Sequence, residues 1–324
     1  MKRLTSILLS ILLVFSCAVL SVSAEEGENL TVTMLDVGQG LSVLFESDGE
    51  YMLYDGGGRN SSSYVVAYLK QHGITELDYL VASHYDEDHI AGLVGVLNTT
   101  EVDTVINPDY VNDTKIYSSF VSKREQSKAE VIYPGIGDSF TFGDSDITVI
   151  SPENYDCEDK NSASVVLRIR CGDFSCIITG DAEEDAETSM VYSDYDIDCD
   201  LYIVGHHGSS SSSSGDFVRA MSPAYSFISV GKDNSYGHPT ERTLNTLSAY
   251  NSEIYRTDES GEITLTYRDG NTEIFTQKQG YFTGGGTSAE SSSEAVPEPV
   301  KQAVSAQYVL KINTKKFHYP DCGS

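Results

Sequence analysis

Apolar and polar positions along this 324-residue chain fall into short blocks, with two-residue and 3.6-residue periods interleaved. Residues 32–37, 41–45, 51–54 and 79–82 read as strands rich in Val, Leu, Tyr and Phe, broken by glycine turns at 38–40 and 56–58. Further strands are expected at 102–106, 147–150, 164–170, 174–179, 201–204 and 225–230, and two late ones at 262–267 and 272–276. Helical periods cover 63–72 (with Gly73 as the stop), 90–97, 114–127, 182–192, 215–221 and 240–250. Strand runs mixed with βα units predict an α/β body, two sheets with helices packed outside them. That body occupies residues 25–283. Residues 284–306 are rich in Gly, Ser, Glu and Pro and read as a flexible linker. The last piece, 307–324, is too short to fold alone. Its His318 and Cys322 are half of a zinc site, an incomplete module, or they are inert.

The first 24 residues stand apart. Lys2 and Arg3 precede an apolar stretch, and Val22-Ser23-Ala24 ends it in small residues, the order of a secretory signal peptide cleaved after Ala24. A lipoprotein modified at Cys17 is an alternative, weakened by the bulky Phe15; an uncleaved membrane anchor is another. No run beyond residue 25 approaches the ~20 apolar residues of a membrane span, so no transmembrane channel is expected in this chain. Without Lys2 and Arg3, 19 basic residues face 49 acidic ones, a net charge of −30. Such charge argues against a basic nucleic-acid platform, though a bound metal adds positive charge that the count omits. Cys171 and Cys176 flank a turn at Gly172-Asp173 and either pair across two strands or are small buried residues.

Candidate chemistry is concentrated at strand ends. His84, Asp86, Asp88 and His89 lie within six residues directly after an apolar strand, on a turn into a helix. Imidazole nitrogen and carboxylate oxygen are the donors that Zn²⁺ or Mn²⁺ takes. The bland alternative is that these are turn and helix-capping residues. Asp181 follows another strand after Gly180, where it either binds metal or caps a helix. His206 and His207 end a third strand, and His238 lies between Gly237 and Pro239. Neighbours at a strand end point opposite ways, so at most one of His206 and His207 is expected to face a shared centre. Five of the seven histidines thus sit in three strand-end clusters.

The order Asp55-Gly56-Gly57, His84-Tyr85-Asp86-Glu87-Asp88-His89, Gly180-Asp181 and His206-His207-Gly208-Ser209 resembles the metallo-β-lactamase superfamily of hydrolases. Three more segments resemble one branch, the hydrolase domain of ComEC-type DNA-uptake competence proteins. They run from Leu35 to Gly40, from Asn161 to Leu167 and from Asn234 to Pro239. The resemblance implies a four-layered αβ/βα sandwich with one or two divalent ions at one edge of the sheets. The commoner superfamily motif carries His where Asp86 stands and a third His where residues 161–164 lie, changes the competence branch shares. A carboxylate in place of imidazole shifts preference from Zn²⁺ toward Mn²⁺, with Mg²⁺ also possible.

Carried over residue by residue, His84 and Asp86 would hold one metal, and Asp88 and His89 a second. Asp181 would bridge them and His238 would complete the ligands. His206 would be a ligand or the proton donor, with Asp88 the other catalytic candidate. Asp55 would brace the metal loop, His207 would support the site, and Asn161 and Ser164 would contact substrate oxygens. The expected function is that of a secreted phosphodiesterase or nuclease using a metal-activated water, acting on DNA or another phosphodiester. One alternative is hydrolysis of a cell-envelope phosphodiester or small ester. Another is a non-enzymatic metal-binding surface protein.

Overall fold

In a computed structural model, residues 28–156 and 159–278 are described in full, and residues 280–284, 309–311 and 316–318 as backbone strands. The leader, Cys17, Cys157, Cys322, the His318 side chain and most of the linker and tail lie outside the described residues.

Alternation within single strands builds the layers. In β1 (Asn29–Met34), β2 (Val43–Ser47) and β3 (Glu50–Tyr54), the side chains of Val32, Val43, Phe45, Met52 and Tyr54 enter one apolar core. Leu44 and Leu53 point the other way into a second core beneath the helices. The same alternation recurs in β10 (Phe174–Ile178), where Cys176 and Ile178 face the shared core and Ile177 faces a third. Around β10 the sheet is therefore buried on both faces, which explains why that strand reads as a nearly continuous apolar run.

One sheet has nine strands in the order β16-β15-β14-β1-β2-β3-β4-β5-β6. Here β4 is Glu76–Val81, β5 Glu101–Ile106, β6 Glu130–Ile132, β14 Ile263–Arg268, β15 Asn271–Thr276 and β16 Gly280–Gly284. The other has seven in the order β13-β12-β11-β10-β9-β8-β7. Its remaining strands are β7 (Ser139–Phe142), β8 (Ser145–Ser151), β9 (Val166–Cys171), β11 (Leu201–Ile203), β12 (Tyr225–Ile228) and β13 (Glu253–Arg256). Both sheets are mixed: β3 to β6 run parallel in the first and β10 to β13 in the second, and the other pairings are antiparallel.

Helices α1 (Ser62–Gln71), α2 (Glu87–Val96) and α3 (Lys115–Ser127) cover the first sheet through Val65, Leu69, Leu93 and Phe120. Helices α4 (Glu184–Val191), α5 (Gly215–Met221) and α6 (Glu241–Ala249) cover the second through Met190, Phe217 and Leu247. The result is the four-layered sandwich expected. A short α7 (Thr257–Ser260) precedes β14, and β17 (Val309–Lys311) pairs with β18 (Lys316–His318) as a separate hairpin. Among the described residues, no helix is long and apolar enough to cross a membrane.

Cys171, Cys176 and Cys199 are free thiols, all buried. The register puts Cys171 opposite Phe174 and Cys176 opposite Ile169, so the two cysteines are not cross-strand partners and the small-residue reading holds.

Candidate metal centre

Most of the candidate side chains come from segments that follow the C-terminal ends of strands in the parallel parts of the sheets. Asp55 follows β3, the 83–86 turn follows β4, Asp181 follows β10 and the histidine pair follows β11. Two close backbone contacts force these loops together. A Cβ on Gly92 of α2 would collide with the Gly56 carbonyl oxygen, and Gly56 N–H donates to the His89 carbonyl at 2.8 Å. Likewise a Cβ on Gly40 would strike the Asp88 carbonyl oxygen, and Leu41 N–H donates to that oxygen at 3.2 Å. The glycines let α2 sit against both turns, so that Asp88 and His89 enter the site from its first turn.

Asp55 is completely buried and its backbone is left-handed (φ 57°). Its carboxylate accepts from Ser83 N–H (2.8 Å), from the Ser83 hydroxyl (2.7 Å) and from His89 Nδ1 (2.7 Å). With Nδ1 donating to Asp55, the Nε2 atom of His89 turns toward the centre, 3.2 Å from Asp181 Oδ1. His84 Nδ1 meets the Ser83 hydroxyl at 3.0 Å, which leaves its Nε2 4.0 Å from Asp181 Oδ2. His207 Nδ1 donates to the Ser229 carbonyl at 3.0 Å, and its Nε2 lies 3.5 Å from Asp88 Oδ2 and 3.7 Å from Asp181 Oδ2.

Two overlapping sets of three donors result, His84–His89–Asp181 and Asp88–His89–His207. The Nε2 atoms of His84, His89 and His207 and Oδ1 of Asp181 are buried with no hydrogen-bond partner. Stranding four buried polar atoms around one point costs each its desolvation, unless a cation takes them up. Nitrogen and carboxylate donors in this arrangement fit one or two divalent ions.

The electrostatics agree. Burial pushes the Asp181 carboxyl up, but His89, His207 and His84 outweigh it and hold it well below the usual range. Asp88 is also held low against burial by the neighbouring imidazoles of His207 and His89. Burial and the neighbouring His89 keep His84 below the ordinary histidine value. Burial opposes charge on His89 too, yet Asp181 and Asp55 raise it well above that value.

The remaining candidates are placed unequally. Asp86 caps α2 without a side-chain cap bond; its carboxylate is 55% exposed and 3.9 Å from His84 Nε2, at the rim and outside both donor sets. His238 also stands outside them, its ring 5.8 Å from that of His206 and its Nδ1 buried without a partner. Asn234 bonds both the N–H and the carbonyl of His238 and holds it behind His206. It is His207 that joins Asp88 and His89. The expectation that His206 and His207 diverge does not hold, because neither is in a strand. Both are left-handed (φ 48° and 54°) in a tight turn, so both imidazoles approach Asp181, at 3.7 Å each.

Ser164 is fully buried beneath the cluster. Its hydroxyl accepts from Asp181 N–H (3.2 Å) and lies 3.4 Å from His84 Nδ1, which makes it a support and not an open substrate contact. Asn161 donates to Glu183 Oε1 at 3.3 Å. That Glu183 oxygen also meets His206 Nδ1 (3.2 Å) and the Ser211 hydroxyl (2.9 Å). Glu183, Ser83, Ser211 and the Ser229 carbonyl are absent from the sequence reading. Glu183 had a signal, two residues after Asp181, but as the start of a helix; the serines and the carbonyl had none.

A family model described as the metallo-beta-lactamase superfamily matches residues 35–232. The chain belongs to the metallo-β-lactamase superfamily. It is 31% identical over 265 residues to ComE operon protein 3 of Bacillus subtilis, covering 76% of this chain and 34% of that protein. It is 33% identical over 237 residues to competence protein ComA of Neisseria gonorrhoeae, covering 72% of this chain and 31% of that one. The branch resemblance read from the motifs holds, since these relatives are ComEC-type competence proteins. The chain spans about a third of the length of the curated relatives it matches. Among solved structures it is similar to the metallo-β-lactamase fold protein YhfI of Bacillus subtilis. There the identity is 15% and the TM-score 0.47, over 70% of this chain and 96% of that one.

Proposed function

We propose that this superfamily hydrolase is an exported metal-dependent phosphodiesterase that cuts DNA as a single strand. One observation carries the reading. Two carboxylates, Asp88 and Asp181, and three imidazoles, His84, His89 and His207, form two overlapping donor sets that share His89, with Asp86 at the rim. These mixed nitrogen and carboxylate donors, with a further carboxylate at the rim in Asp86, admit Mn²⁺ as well as Zn²⁺. Divalent ions bound there supply a water of lowered pKa and positive charge for the attacking and leaving oxygens of a phosphodiester.

The chain's own groups supply the rest. Asp55 and the Ser229 carbonyl fix the tautomers and headings of His89 and His207. The His206 side chain is 24% exposed, whereas those of His84 and His89 are fully buried, so among the imidazoles around Asp181 His206 is the one that a substrate can meet. With Nδ1–H held by Glu183, a protonated His206 can pass its Nε2 proton to the departing oxygen. The competence relatives supply the substrate class, and the leader motif supplies export.

The test is incubation of residues 25–324 with single-stranded DNA and Mn²⁺. Cleavage by the wild type and a loss of at least about a hundredfold in Asp88→Ala are expected. No cleavage, or equal cleavage by both proteins, defeats the reading. A second reading, hydrolysis of a cell-envelope phosphodiester, is favoured by the net charge of −28. Faster turnover of glycerol phosphodiesters than of DNA in the same assay selects it.

A further inference from the structure

Tyr236 is 69% exposed, on the loop between β12 and α6. Of the five large apolar side chains standing exposed among the described residues, it alone stacks on an imidazole bordering the metal centre. Its ring lies 5.7 Å from that of His238 at an interplanar angle of 28°. The His238 ring is 5.8 Å from His206, whose Nε2 is 3.7 Å from Asp181 Oδ2. Two ring contacts thus connect Tyr236 to the carboxylate at the heart of the site.

The loop is firmly built. Asn234 Oδ1 accepts the N–H groups of Tyr236 and His238, each at 3.1 Å. Asn234 Nδ2 donates to the carbonyls of Gly231 (3.0 Å) and His238 (2.6 Å). At its base, Gly231 N–H donates to Gln39 Oε1 at 3.2 Å, and a Cβ there would come within 2.7 Å of Gln39 N. The 38–40 turn in turn abuts Asp88 through Gly40. Tyr236 is therefore held at a set position relative to the metal ligands, while its ring stays in water. Holding an aromatic ring exposed and fixed is useful when a flat ligand stacks on it, because the ordering entropy is already met.

The surroundings narrow the ligand. Asp233, Ser235 and Gly237 on the same loop are polar or small and exposed, so these neighbours add no apolar side chain to the ring. Lys232, also exposed, places a cation on the same loop of a chain whose net charge is −28. An exposed aromatic face with a lysine on the same loop suits a base and its phosphate in a single strand.

We propose that Tyr236 is a base-stacking residue, taking the nucleobase beside the phosphodiester to be cut and so selecting base-bearing single strands. This rests on the phosphodiesterase reading and deepens it. The test compares kcat/KM for a single-stranded oligonucleotide and for the same backbone made fully abasic, with Mn²⁺. Wild type should prefer the base-bearing strand. Tyr236→Ala should lower that preference about five- to hundredfold. Tyr236→Phe, which keeps the ring, should retain it, as should Tyr192→Ala, which removes a tyrosine that is 82% exposed at the end of α4.

An unchanged preference in Tyr236→Ala overturns the inference while leaving the phosphodiesterase reading intact. So does a wild type that cuts the abasic strand equally well. If the wild type cuts neither strand, the phosphodiesterase reading fails and the inference falls with it. If Tyr236→Ala instead impairs only a sugar-containing envelope polymer, the ring serves a glycan and the nucleobase assignment is wrong.

Discussion

Asp55 accepts three hydrogen bonds from Ser83 and His89 while fully buried, and through them sets which nitrogen of His89 faces the centre. Asp55→Asn keeps the shape but removes the negative charge that holds His89 Nδ1–H. Metal affinity should drop about 10- to 100-fold, read by competition with a chelator; unchanged affinity would contradict the bracing role. His89 also sets a pH dependence. Burial disfavours its charge, but Asp181 and Asp55 overcome that and raise its pKa in the metal-free protein. A value raised on folding stabilises fully below the unfolded pKa of roughly 6.5, and that contribution is lost as pH rises through the folded value. The metal-free melting temperature should therefore fall as pH climbs above neutrality. Metal must displace the same proton, so loading near neutral pH should release about one proton from His89, measured by calorimetry in buffers of differing ionisation enthalpy. Loading without proton release would contradict this assignment. At this scale His84, Asp88, His89 and Asp181 were legible because each follows an apolar strand directly. The choice of His207 over His238 was not, because it depends on two left-handed residues that no local pattern announces.

The central strands and the main helices follow from apolar periodicity, and their observed bounds differ from the sequence reading by only a few residues. In the two large sheets four strands escaped it, β6, β7, β13 and β16, as did the separate pair β17 and β18. The first four are the outermost strands of the two large sheets. An edge strand pairs on one side only and is kept short or polar, as in Ser139-Phe140-Thr141-Phe142, so the apolar run that marks a strand is missing where the sheet ends. The site was spared this ambiguity because it is built at the ends of central strands. Helix α2 carries the tightest constraint, Gly92 against Gly56. Gly92→Ala should push α2 off the Asp55 turn and destabilise the fold by about 1–3 kcal/mol or more, despite the better helix propensity of Ala. Urea denaturation checks this, and a neutral or stabilising result would mean that α2 does not depend on that contact.

Over the whole molecule, two sheets pack through one shared core and send their parallel strands toward a common edge, where loops from both supply the donors. The Asp88-His89 pair, Asp181 and His207 lie apart in sequence, so their convergence is a property of the fold. The surrounding surface is acidic, with 49 acidic residues against 21 basic, and a polyanionic substrate meets repulsion everywhere except at a metal-loaded centre and a few lysines. On the proposed phosphodiesterase reading, metal serves both chemistry and approach. Native mass spectrometry of residues 25–324 titrated with Mn²⁺ tests this most directly. The account predicts about two ions per chain, reduced in Asp181→Ala, which removes the carboxylate common to the cluster. A wild-type protein that stays metal-free under saturating Mn²⁺ and Zn²⁺ would contradict it.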